Sequence, residues 1–220
     1  MEQIQVPPSK TDLCYSSLHA AILRGDLKPG SRIVIDELAR QMGVSSIPIR
    51  EALQRLQAEG LVDTAPHVGA RVAEMDSHSI YEIFELKEAM EIISGRAACQ
   101  RMSEDELQKA ESILRAMDRT VDDLDLWSAE NVRFHEFICE CAGMPLVRDL
   151  MRQILGHWGR LRRVYLEEVF AQRHLEAQQE HWALFKALRT GDPDYVERVT
   201  CDHNRSAIVA YTRALERRPG

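Results

Sequence analysis

Residues 32–72 constrain this chain most, because a helix, a tight turn, a second helix and a hairpin can be read there without a break. The first helix runs through Asp36-Glu37-Leu38-Ala39-Arg40-Gln41-Met42, and Gly43-Val44-Ser45 makes the turn. Gly43 suits the left-handed backbone that closes a helix. The second helix starts near Ser45 or Ser46, both good N-cap types. Pro48 falls in its first turn, where a missing N–H costs little. Ile49, Ala52, Leu53 and Leu56 then repeat at i, i+3, i+4 and i+7, an apolar stripe that must face a core. Arg50 and Gln54 project from another face. Glu59-Gly60 ends the helix, and Leu61-Val62 and Ala70-Arg71-Val72 flank a loop holding Pro66, His67 and Gly69, as in a β-wing. The pattern predicts a DNA-reading winged helix-turn-helix; the plainer alternative is a three-helix domain with an incidental hairpin.

The stretch ILRGDLKPGSRIVIDELARQMGVSSIPIREALQRLQAEGLV resembles the winged-helix domain of GntR-family bacterial transcription regulators, without gaps from about Leu18 to Val72. The resemblance implies DNA contacts from Arg32, Ser45, Ser46, Ile47, Arg50, Gln54 and His67. Related regulators usually read S-R-T-P-V-R where this chain has Ser45-Ser46-Ile47-Pro48-Ile49-Arg50. Arg50 is expected at a phosphate or a guanine edge. Ser46 stands in place of a base-reading arginine, and Val68 in place of another in the wing. Both changes remove donors, which implies an altered operator or a lower affinity for the usual one.

Length and charge bear on the same reading. A reader head of about 70 residues leaves a second domain of about 140 within a chain of 220. The formal net charge of −7 opposes non-specific DNA affinity, which comes from Lys and Arg neutralising phosphates. Even locally, Arg32, Arg40, Arg50, Arg55 and Arg71 are countered by Asp36, Glu37, Glu51, Glu59 and Asp63. Binding is therefore expected to depend on two correctly spaced half-sites of a pseudo-palindromic operator, read by a homodimer. No run is long enough to span a bilayer, and MEQIQVPPSK has no apolar signal region. Cys14, Cys99, Cys139, Cys141 and Cys201 form no C-x-x-C pair, which fits reduced thiols and a cytoplasmic location.

Beyond Val72 only helical periodicity remains. Asp76-Ser77 caps a helix through Met102, Ser103-Glu104-Asp105-Glu106 is a capping box, and a third helix runs from Asp122-Asp123 to Gly143. Pro145 opens a fourth, a fifth spans about Gln172–Arg189, and Asp192-Pro193 starts a sixth. The expected fold is mainly α: a winged helix-turn-helix over residues 8–75 and a six-helix antiparallel bundle over 76–217. Residues 78–215 resemble the FCD effector domain of the FadR subfamily within GntR regulators.

Polar residues lie on the inward stripes of this bundle. Asn131 and His135 share a helix face with Ile138 and Ala142, His181 shares one with Ala177, Leu184 and Leu188, and His203 one with Val196, Val199 and Ala210. Three imidazoles from three inward faces can converge on a divalent ion such as Zn²⁺ or Ni²⁺; a set of hydrogen-bonded core histidines is the plainer reading. Metal-binding members of the family carry D-x-x-F-H, E-H and a late histidine, matched by Phe134-His135, Glu180-His181 and His203. The resemblance thus implies Zn, Ni or Mn at His135, His181 and His203, with Asn131 standing where the family has Asp and bringing no charge. It also implies a small carboxylic-acid effector. Lys87 occupies the place of an effector-binding arginine, and Arg160 and Arg163 are further candidates. No catalysis is expected: the residues three before the histidines are Val132, Gln178 and Thr200, so the E-x-x-H motif of di-iron bundles is missing. The alternatives are a dimerisation bundle that binds no ligand and, against the missing E-x-x-H motif, a helical metalloenzyme with an accessory DNA-binding domain.

Overall fold

The computed structural model describes residues 7–65, 69–75 and 77–216. The chain divides into two compact units, Met1–Asp76 and Ser77–Gly220.

The first unit opens with α1 (Lys10–Arg24), started by a reciprocal capping box between Ser9 and Asp12. Strand β1 (Arg32–Ile33), α2 (Ile35–Met42), α3 (Ser46–Ala58), β2 (Val62–Ala65) and β3 (Gly69–Val72) follow. Gly43 closes α2 at φ 65°, the left-handed conformation expected of it. Ser45 is the extended N-cap residue of α3, although its side chain makes no capping hydrogen bond. Ile49, Ala52, Leu53 and Leu56 are buried against Leu18 and Ile22 of α1 and Val62 and Val72 of the sheet. The wing is the antiparallel pair β2–β3, registered Val62 to Val72 and Ala65 to Gly69. Strand β1, which sequence periodicity did not predict, pairs with the other edge of β3 through Arg32–Arg71 and Ile33–Ala70. The sheet order is therefore β1-β3-β2. Two residues are too few to show a period.

The second unit is entirely helical among the described residues: α4 (Ser77–Cys99), α5 (Glu104–Arg119), α6 (Leu124–Cys141), α7 (Pro145–Tyr165), α8 (Glu167–Thr190) and α9 (Pro193–Glu216). The expected capping box of Ser103 with Glu106 starts α5, and Asp123 caps α6 by accepting from Asp125 and Leu126. Helix α8 begins at Glu167, five residues before the sequence estimate of Gln172. Only Leu166 separates it from α7; with no proline, glycine or capping side chain there, the break leaves no sequence signal. Cys14, Cys99, Cys139 and Cys141 are buried, and all five cysteines are free thiols. No helix among the described residues is long and apolar enough to cross a membrane.

Candidate functional site

On the head, packing of α3 decides what is left for a ligand. With Ile49, Ala52, Leu53 and Leu56 turned inward, Ile47, Arg50 and Gln54 are exposed, Ile47 at 64%. Arg50 and Gln54 stand four residues apart on one face, and neither makes an ion pair or hydrogen bond among the described residues. Arg55, by contrast, lies over the Tyr15 ring at 3.9 Å and pairs with Asp12 at 2.8 Å, tying α3 to α1. Arg32 and Ser45 are exposed and Ser46 half-buried. His67 and Val68 lie outside the described residues.

In the bundle, α6, α8 and α9 bring His135, His181 and His203 together. One ring nitrogen from each lies within 4.8 Å of the others. Ring centroids are 4.8 Å apart for His181–His203 and 5.2 Å for His135–His181. They line a cavity of about 20 Å³ that Asn131, Lys87 and Arg173 also border, with Trp127, Phe170 and Tyr211 among its aromatic walls. A space of that size holds an ion or a water molecule. Val199 and Ala210, expected on the His203 stripe, are only half-buried; Thr200, Ala207 and Tyr211 share the buried face instead.

Two of the three imidazoles have carboxylate partners. His135 Nδ1 lies 2.7 Å from Glu91 Oε1, and His203 Nδ1 lies 2.7 Å from Glu180 Oε2. Each carboxylate is also held by a cation: Lys87 Nζ is 2.7 Å from Glu91, and Arg173 is 2.7 Å from Glu180. Asn204 joins the network, accepting from Lys87 at 3.1 Å and donating to Glu91 at 2.7 Å. Burial raises the Glu91 carboxyl, but His135 and Lys87 outweigh it and hold it well below the usual carboxylate range. His181 differs. It is 1% exposed, and neither of its ring nitrogens has a hydrogen-bond partner among the described residues. Burial above all, with the Lys87 ammonium acting in the same direction, pushes its pKa well below the ordinary histidine value, so the ring is neutral. A buried polar group without a partner costs about 1–3 kcal/mol, and a divalent ion is a partner that neutral imidazole nitrogens satisfy. The donor set therefore fits a metal.

Of the expected cations, Lys87 reaches the cavity, but in an ion pair with Glu91. Arg160 is buried yet does not line the cavity, and Arg163 pairs with Asp125 at 2.9 Å on the surface. Arg173 is the arginine that borders the space, with Nε unpartnered among the described residues. Glu91, Arg173 and Asn204 were not singled out from sequence. The signals were there: Lys87 and Glu91 form an i, i+4 pair on the stripe of Phe84 and Ser94, and Arg173 lies on the stripe of Ala177 and His181.

A winged reader head followed by a helical bundle enclosing a histidine cluster defines a two-part DNA-binding regulator. Residues 11–72 match the bacterial regulatory proteins of the gntR family, and residues 82–206 match the FCD domain. The chain belongs to the GntR family and carries an FCD domain. It is 25% identical over 193 residues to the HTH-type transcriptional regulator McbR of Escherichia coli, covering 87% of this chain and 85% of that one. It is 26% identical over 231 residues to the galactonate operon transcriptional repressor of E. coli, covering 94% and 97%. The solved structure of E. coli McbR/YncC shares the fold with a TM-score of 0.76 at 23% identity, over 94% of this chain and 99% of that one.

Proposed function

We infer that this DNA-binding transcriptional regulator is a repressor, one whose operator affinity is set by a small organic acid taken up beside a divalent metal in the helical domain. The observation that carries the ligand half of this reading is His181, enclosed in the core with two unpartnered nitrogens beside two further imidazoles. His135, His181 and His203 would hold the ion, with the Asn131 amide at the cavity wall as a neutral fourth donor. The metal supplies a positive centre for a carboxylate in surroundings where Lys87 and Arg173 are already matched by Glu91 and Glu180. Because the cavity is only about 20 Å³, an acid must displace part of its lining to enter. That requirement supplies a difference in affinity between two arrangements of the bundle, the only means by which a ligand shifts an equilibrium. On the DNA side, Arg50 and Gln54 read a half-site from α3, and a homodimer sets the spacing of two heads.

The test is metal content of protein purified without a histidine tag or chelator, with His135→Ala as control. Near-stoichiometric metal, lost in the variant, is the expected result. Protein that stays metal-free after dialysis against zinc, nickel and manganese sinks the metal claim while leaving the DNA reading intact.

A further inference from the structure

Of the three imidazoles, His203 is hydrogen-bonded to a carboxylate through Nδ1, and this determines which nitrogen it can offer. An ionised carboxylate only accepts, so His203 Nδ1, hydrogen-bonded to Glu180 Oε2 at 2.7 Å, must carry the hydrogen, whereas the equally close approach of His135 Nδ1 to Glu91 Oε1 is a charge contact without hydrogen-bond geometry. A neutral histidine protonated at Nδ1 has its lone pair at Nε2. We propose that Glu180 is the positioning residue of the metal centre: it accepts from Nδ1–H of His203 and so presents Nε2 of that ring to the ion. The inference rests on the metal reading above.

The carboxylate is built for this work. Glu180 is clamped by Arg173 at 2.7 and 2.9 Å. Glu91, which is buried, lies 2.7 Å from each of His135, Lys87 and Asn204 and places a second negative charge beside the cluster. Lys87 and Arg173 keep both groups anionic, and an anion behind an imidazole makes it a stronger ligand. That charge, delivered through the rings, offsets the loss of the anionic ligand at Asn131. His181 has no such carboxylate; packing against Trp127 and Phe134, at 5.9 and 5.6 Å between centroids, holds it instead. The positioning pair joins α8 to α9, so the site's geometry depends on the bundle being assembled.

The experiment has two arms on the full chain. Long-range ¹H–¹⁵N correlation spectra of chelator-treated protein read the tautomers directly. Nδ1–H on His203 is expected, and Nε2–H there overturns the proposal. The second arm measures zinc affinity by chelator competition, and the visible spectrum of bound cobalt, for E180Q against wild type. Affinity is expected to fall about 10–100-fold with an altered cobalt spectrum and unchanged circular dichroism. Glu180 is 19% exposed, so E180Q is tolerated by the fold. Unchanged affinity in the folded variant overturns the positioning role. Wild-type protein that takes up neither zinc nor cobalt overturns the metal reading instead, and the tautomer spectra still decide whether Glu180 orients the His203 ring.

Discussion

On the head, Arg50 and Gln54 stand in water on a helix whose opposite face packs the core, whereas in the bundle His135, His181 and His203 occupy the core itself. The first arrangement separates function from stability, since an exposed side chain with no partner contributes nothing to folding. The second couples them: every polar group brought inside needs a partner, and where the chain supplies none the ligand must. Glu91 and Glu180, themselves paired with Lys87 and Arg173, lie against two of the rings, and His181 has no hydrogen-bond partner among the described residues.

Head and bundle should respond differently to substitution. The largest effect is expected in the two cores. Trp127→Ala, removing a fully buried wall of the cavity, should cost about 3–5 kcal/mol in chemical denaturation and abolish metal uptake. Leu56→Ala should cost about 2–5 kcal/mol and abolish DNA binding, with metal content unchanged.

Next comes pH. Burial pushes His203 down to about 4 from an ordinary 6.5, so between those values the unfolded chain binds a proton that the folded one refuses. Stability of chelator-treated protein should be fully present above about pH 6.5 and decline as pH falls toward 4, with His181 acting in the same direction. Melting temperatures that stay flat across this window would show that the rings are not neutral and buried.

Substituting the unpartnered imidazole reverses the usual sign. His181→Leu should raise the stability of chelator-treated protein by about 1–3 kcal/mol, because it removes an unsatisfied buried group, while eliminating metal uptake. A destabilised variant would mean that the ring has a structural partner. Arg50→Ala should do the converse, weakening operator binding by about 1–3 kcal/mol per half-site while stability stays within about 0.5 kcal/mol. The smallest effects belong to the caps. Ser9→Ala and Ser103→Ala should each cost about 1 kcal/mol, the first in the head and the second in the bundle.

The head was legible in sequence because its features are local. The α2–turn–α3 unit, the apolar stripe of α3 and the turn at Gly43 depend on residues a few positions apart, and the periodicity carries them. Strand β1 escaped because its identity comes from pairing with β3, about forty residues away, through Arg32–Arg71 and Ile33–Ala70. In the bundle, helix faces pointed His135, His181 and His203 inward, and caps set most helix boundaries; the α7–α8 break at Leu166 carried no such mark.

Propensity, capping and hydrophobic period act over one or two turns, and they suffice for the winged head, the number and order of the bundle helices, and which faces turn inward. Which inward residues meet depends on the packing of helices distant along the chain. Lys87 and Asn204 are 117 positions apart, and Asn204 and Glu91 are 113 apart, yet they form one buried network. Arg173, and neither Arg160 nor Arg163, borders the cavity for the same reason. Such pairings follow from how four helices pack, a property that no window along the chain contains.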